Sequence, residues 1–284
     1  MGFFARLGAV YCRTMFLSFR QTYGECKKPW QALAFFLEGY AFERQGRNPG
    51  YAHAAADAVR ENSDLLGGNI DENVEREIWD SYRAKLRNRR LNAKLCPLNP
   101  AKSDCAGSVF ARLREHGETN LMTFTTALLK KDVREAHNFI WSIRGSGTKI
   151  ASYFLRDVKE LYPIAEIAPN LRFLLQPVDI WVWRTVNILQ GHEEFPSLWD
   201  AKESARKDAA QFIVNSSHDP ERVNMGMWYF AAEVCGSEYR HGLYLGKPES
   251  AEEAWHNYVQ WKVEEAKHLR TVRPFHLHRH LRCI

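Results

Sequence analysis

Apolar residues recur along this chain at intervals of three and four, and no run alternates apolar with polar positions on either side of a hairpin turn. That spacing gathers apolar side chains on one face of a helix, so the pattern predicts an all-α fold. Helices are predicted over Trp30–Gln45, Pro49–Asn62, Asn73–Ala93, Ser108–His116, Leu121–Leu129, Asp132–Ser142, Thr148–Leu161, Ile180–Gln190, Ser197–Asn215, Pro220–Cys235 and Ala251–Ala266. The N-terminal segment is interrupted by Arg6, Arg13 and Arg20 and, with no acidic residue before Glu25, could mimic an organelle-targeting peptide, but its aromatic periodicity marks a core-facing helix.

Breakers separate these segments: Gly67-Gly68-Asn69, Pro97 to Pro100, Gly145 to Gly147, Pro163 to Pro169 and Gly246-Lys247-Pro248. None is long enough to be a flexible linker, and no repeat or low-complexity tract is visible. The expected architecture is two helical lobes with a ligand cleft between them. Residues 1–70 are expected to pack with 191–284 as one lobe, and 71–190 to form the other.

Composition adds constraints. With 284 residues, 45% hydrophobic and 26% charged, the chain is globular rather than disordered. Lys and Arg outnumber Asp and Glu by 39 to 34, a formal charge of +5 that suits a phosphate-rich partner without identifying one. The excess clusters at Arg83, Lys85, Arg87, Arg89 and Arg90, and again at Arg270, Arg273, Arg279 and Arg282. Each cluster taken alone reads as a solvated face or a tail. Cys12, Cys26, Cys96, Cys105, Cys235 and Cys283 form no C-x-x-C pair, which argues against a disulfide framework or a zinc ribbon and for a reducing compartment. Only Cys235 and Cys283 lie in the C-terminal third, so the four thiolates of an iron–sulfur cubane are missing there and no cluster is expected. His276, His278 and His280 read as exposed or nucleic-acid-contacting rather than as metal ligands, and no metal site is expected. No stretch approaches the roughly 20 apolar residues of a membrane span, so no membrane partner is expected.

The informative stretch begins at Asp132. Val133, Ala136, Ile140 and Ile143 share one helical face and lead into Arg144-Gly145-Ser146-Gly147; Ile150, Ala151, Phe154, Leu155 and Val158 follow at the same spacing. The segment reads helix, glycine hairpin, helix. Without a Cβ, Gly145 and Gly147 can turn the chain at positive φ and bring backbone N–H groups to a phosphate beside the positive end of the next helix. By itself a G-x-G turn between helices serves packing as often as binding. Lys149 follows the hairpin at once, and Pro177-Val178-Asp179 opens a later helix. Asp179 could be only the cap of that helix, and Trp181 and Trp183 read as packing residues.

Taken together, Ile143 to Ala151 followed by the P-V-D run resembles the helix-hairpin-helix DNA glycosylases, and a lysine directly after G-x-G-T resembles their bifunctional glycosylase/lyase branches, typified by endonuclease III and 8-oxoguanine DNA glycosylase. The likeness is sharp over Asp132 to Gln190 and only general elsewhere. It implies that Gly145 and Gly147 hold DNA phosphate, that Lys149 is the amine nucleophile and that Asp179 is the carboxylate acting with it. It further implies duplex DNA lying across the cleft, with the damaged nucleotide turned out of the stack. No cofactor is implied, although a monovalent cation at the hairpin is compatible with the pattern.

The chemistry fits those residue types. A base must leave the duplex before its glycosidic bond is reachable. Cleavage develops positive charge on the sugar, which a carboxylate stabilises. An amine attacking the anomeric carbon forms a Schiff base that permits elimination of the phosphate, provided the lysine is neutral part of the time. Two positions and one spacing depart from the family pattern: Trp181 stands where a histidine is common, Ser146 where an aliphatic residue is common, and 29 residues separate Lys149 from Asp179, more than in the best-known members. The expected function is excision of an oxidised or modified base, 8-oxoguanine first, by a monomer in the cytoplasm or nucleus. The alternatives are a non-catalytic DNA-binding protein with the same hairpin, or a glycosylase without lyase activity.

Overall fold

The computed structural model describes residues 1–42, 48–68, 70–92, 97–100, 107–164, 166–192, 196–246 and 248–269, without the side chains of 248 and 263–269. Arg270, Arg273, Arg279, Arg282, His276, His278, His280, Cys96, Cys105 and Cys283 lie outside the described residues. In chain order the helices are α1 (Gly2–Tyr11), α2 (Leu17–Tyr23), α3 (Pro29–Phe36), α4 (Gly50–Glu61), α5 (Glu72–Asn88), α6 (Val109–Glu115) and α7 (Leu121–Lys131). They continue as α8 (Val133–Ser142), α9 (Thr148–Leu161), α10 (Ile180–Leu189), α11 (Glu203–Asn215), α12 (Pro220–Tyr229), α13 (Glu238–Leu245) and α14 (Pro248–Leu269). Among the described residues there is no strand, only an isolated parallel bridge between Gly107 and Ile143, so the fold is all-α as the spacing predicts.

Short polar side chains set many of the helix starts. Asp71, Ser108, Asn120, Asp132, Asp179 and Ser237 each accept a hydrogen bond from an amide in the first turn of the helix that follows. These amides have no partner inside the helix, so each cap is worth about 1 kcal/mol. Three of the apolar runs pass through a wider π-helical turn, at Cys12–Phe16, Leu37–Ala41 and Phe230–Cys235. The run from Pro220 is therefore α-helical only as far as Tyr229. The run predicted from Ser197 is helical only from Glu203.

Contacts divide the chain into two units. Unit 1 is Met1–Met15 with Gln176–Cys283, and unit 2 is Phe16–Leu175. In unit 1, α1 lies against α12 at Gly8 and Gly226, two glycines whose missing side chains let the backbones touch. Phe4, Leu7, Val182, Val186, Ile213, Val223, Met227 and Phe230 fill the core around them. His241 on α13 is fully buried there. The Thr185 hydroxyl donates to the Trp181 carbonyl (2.8 Å), so its oxygen accepts from His241 Nε2 at 2.9 Å, and His241 Nδ1 is buried without a partner.

Unit 2 is built on an aromatic cluster, in which Phe35 packs on Phe19 and Tyr40, and Phe36, Tyr40 and Phe35 all meet Phe154 of α9. Within it the Tyr40 hydroxyl donates to Asp157 Oδ2 (3.1 Å) and Arg156 Nε to Asp157 Oδ1 (2.8 Å), so the buried carboxylate is both paired and hydrogen-bonded. The grouping differs from the one expected from sequence. Residues 16–70 were expected with the C-terminal helices, whereas α3 and α4 pack with α5 and α7. Residues 176–190 fall in unit 1, because Val182, Trp183 and Val186 enter its core.

Candidate functional site

Helix α8 ends at Ser142 and α9 begins at Thr148, so the glycine stretch is a short turn between two packed helices. Its geometry is tightly held. Ile143 is buried and bridges Gly107, and the Arg144 amide donates to the Gly107 carbonyl (2.9 Å). The Ser146 amide closes the turn on the Ile143 carbonyl (2.9 Å), and Arg112 Nε donates to the Ser142 carbonyl (3.2 Å) at the end of α8. Gly145 takes φ 83°, a region that L side chains rarely adopt. Gly147 does not: at φ −115° and ψ 178° it is the extended N-cap of α9, a conformation open to any residue. Of the two glycines expected at positive φ, only Gly145 needs to be one.

Lys149 is the second residue of α9, half-buried, and its side chain has no ion pair or hydrogen bond among the described residues. A cation there faces the positive end of the helix, which is unfavourable by about 0.3–1 kcal/mol. Beneath the turn lies a residue that motif reading passes over. His137 sits among the buried positions of α8, with Nε2 3.4 Å from Ser152 Oγ of α9. Burial pushes its pKa down, opposed by a hydrogen bond with the Thr148 backbone. A lone polar residue inside the apolar stripe of Val133, Ala136 and Ile140 was the signal for it. The Ser146 hydroxyl is also buried and makes no hydrogen bond among the described residues.

Asp179 lies in unit 1 and is the N-cap of α10. Oδ1 accepts from the amides of Trp181 (3.0 Å) and Val182 (2.9 Å), and Oδ2 accepts no hydrogen bond among the described residues. The approach to it is fixed by fully buried Asn224, whose Nδ2 donates to the Pro177 carbonyl (3.1 Å). Trp181 and Trp183 are buried packing residues, as the sequence suggested, and Trp183 Nε1 donates to the Pro196 carbonyl (2.9 Å).

The predicted residues are therefore placed in two groups. Gly145, Gly147 and Lys149 share one turn and the first turn of the next helix in unit 2, while Asp179 opens a helix of unit 1. In the basic cluster at the end of α5, Lys85 pairs with Glu61 and Arg89 with Asp57 (3.1 Å), which ties this end of α5 to α4, whereas Arg87 and Arg90 are exposed and make no ion pair among the described residues. Among the described residues no group of three or more His, Cys, Asp or Glu side chains could hold a metal ion, and no helix is long and apolar enough to cross a membrane. No protein-family model, curated protein or solved structure matches the chain.

Proposed function

We propose that the chain is a DNA glycosylase with abasic-site lyase activity, in which the turn at Gly145 and Gly147 grips DNA phosphate, Lys149 is the nucleophile and Asp179 stabilises the sugar cation. One observation carries the reading: Lys149 is half-buried at the N-terminus of α9, directly after a turn pinned at both ends, and has no intramolecular partner among the described residues. An ammonium group held where the helix field opposes it, without a carboxylate to compensate, is placed for chemistry or for an anionic ligand rather than for stability. Asp179 supports the same reading, because capping occupies Oδ1 alone and leaves Oδ2 for a developing positive charge.

The steps that follow are those the residues can perform. Lys149 in its neutral form attacks the anomeric carbon of an extruded nucleotide, the base leaves with the bonding pair, and loss of a proton from the nitrogen opens the sugar to a Schiff base. Elimination of the phosphate and hydrolysis then free the amine. The resemblance of the hairpin and P-V-D run favours 8-oxoguanine as the base removed. Borohydride trapping against duplexes carrying 8-oxoguanine, thymine glycol, uracil or 5-hydroxymethyluracil tests the reading. A covalent protein–DNA adduct is expected from the native chain and none from Lys149→Gln; an undiminished adduct in that variant removes Lys149 from the mechanism. A second reading, DNA binding without chemistry, is favoured by the complete cap that Asp179 already provides, and it gives no adduct with any duplex.

A further inference from the structure

Helix α8 carries a face that packing does not explain. Val133, Ala136, His137, Phe139 and Ile140 are buried, and the opposite stripe is Arg134, Asn138 and Trp141, at i, i+4 and i+7. All three are exposed, Trp141 by 56%, and none of their side chains has a hydrogen bond, ion pair or ring contact among the described residues. An isolated exposed apolar residue needs no explanation. Here, however, an unstacked indole, a free amide and a free guanidinium lie in line on one helix, and the line ends two residues before the turn that leads to Lys149.

The one cation on this stripe, Arg134, makes no ion pair among the described residues. The acidic residues nearest in sequence are already engaged: Glu135 pairs with Lys131 (3.0 Å), and Asp132 caps α8 through the Arg134 amide (2.7 Å). Lys130, near the end of α7, is also exposed and makes no ion pair among the described residues. A stripe whose guanidinium is unpaired, beside carboxylates that already hold a lysine and a helix start, complements an anion. Seven residues of helix span about 10 Å, roughly the length over which one DNA strand carries three phosphates. An exposed indole presents a stacking surface that any nucleobase can use.

We infer that the Arg134–Asn138–Trp141 stripe is a nucleic-acid contact, with Trp141 stacking on an unpaired base and Arg134 holding the adjoining backbone. This deepens the glycosylase reading by naming a DNA-contact surface next to the turn, and it rests on that reading for the choice of DNA as ligand. It differs from the grip of the turn itself, which engages phosphate through backbone amides and has no means of sensing whether a base is paired.

Fluorescence anisotropy with the full chain tests it, using three labelled probes: a fully paired duplex, the same duplex with one bulged thymidine, and a single strand. Trp141→Ala is expected to weaken binding to the bulged and single-stranded probes about tenfold while changing the paired duplex less than twofold, and Trp141→Phe to restore most of the loss. Arg134→Ala is expected to weaken all three and to reduce the salt slope by about one. Circular dichroism melts of each variant confirm that the fold is intact. Equal binding by native chain and Trp141→Ala on every probe overturns the inference. So does self-association that is lost in Trp141→Ala, which assigns the stripe to a second copy. The two readings fail separately: adduct formation with no effect of Trp141 rejects the stripe alone, and Trp141-dependent binding without an adduct rejects the chemistry alone. No binding of the native chain to any probe rejects both.

Discussion

A methyl group placed on Gly226 would lie 1.8 Å from the carbonyl oxygen of Phe4, and one placed on Gly8 would lie 1.9 Å from the carbonyl oxygen of Arg222. The atoms struck are backbone, which cannot swing aside as a side chain can. Gly226→Ala is therefore expected to destabilise unit 1 by about 3 kcal/mol, even though alanine is intrinsically the better helix former by about 1 kcal/mol. Urea unfolding followed by circular dichroism measures it. An unchanged or raised midpoint would show that α1 and α12 do not approach as closely as described.

Asp179 combines a cap and a proposed catalytic charge, and two substitutions separate them. Asparagine caps nearly as well as aspartate, so Asp179→Asn should melt within a degree or two of the native chain while base excision falls by orders of magnitude. Asp179→Ala should lose the same activity and, in addition, about 1 kcal/mol of stability. Single-turnover excision beside thermal melting distinguishes them; full activity in Asp179→Asn would leave the residue a cap and nothing more.

Binding to undamaged duplex should fall steeply with salt if the turn and its flanking cations meet phosphate. Arg89 and Lys85 should contribute little, since they are engaged by Asp57 and Glu61. Arg89→Ala is expected to leave the slope of log affinity against log salt unchanged, whereas Lys149→Ala lowers it by about one. A fall in slope for Arg89→Ala would return the α5 cluster to the interface.

Two groups in unit 1, fully buried His241 and half-buried Glu233, should pull stability in opposite directions with pH. Burial, aided by Arg184, holds His241 at about 4 against its ordinary 6.5. The unfolded chain thus binds a proton that the fold refuses, and stability present above pH 6.5 is lost as pH falls through about 4, by about 3 kcal/mol in all. Burial raises Glu233 from 4.5 to about 7 against the pull of Lys262, so its contribution is fully present below pH 4.5 and lost as pH rises through 7. Between pH 4.5 and 6.5 the two oppose one another, so relative to the native chain His241→Gln should gain stability toward acid and Glu233→Gln should lose it, read from denaturant midpoints across that range. Parallel profiles in all three chains would show that neither group titrates differently on folding.

Periodicity made the helices legible, and it did so best where a cap is written into the chain: Asp132, Asp179 and Ser108 each stand directly before the helix they start. It failed at α13, a helix of eight residues with Gly242 in its middle, whose apolar Tyr239 and Leu243 face outward rather than into the core. The π-helical turns were hidden because an extra residue in a turn changes the register without changing the composition. The turn at Gly145 and the order of residues leading to Lys149 were legible as a local pattern. His137 beneath that turn and Asn224 behind Pro177 were not, since each acts on an element distant from it in the chain or hidden inside its own helix. The grouping of residues into units was missed for a related reason: sequence order placed 16–70 beside α1, but the side chains of α3 find their partners on α9.

The pairing of Gly8 with Gly226 also sets an order of events during synthesis. Unit 2 is one continuous stretch and can fold as soon as it has left the ribosome, but α1 is made first and its partner α12 more than two hundred residues later. At roughly 5–20 residues per second, the apolar face of Phe4, Leu7 and Tyr11 waits on the order of 10–45 s for the surface that will cover it. During that interval the nascent chain carries an aromatic helix that its partner has not yet covered. Chaperone dependence in the cell should therefore track that helix rather than the larger unit.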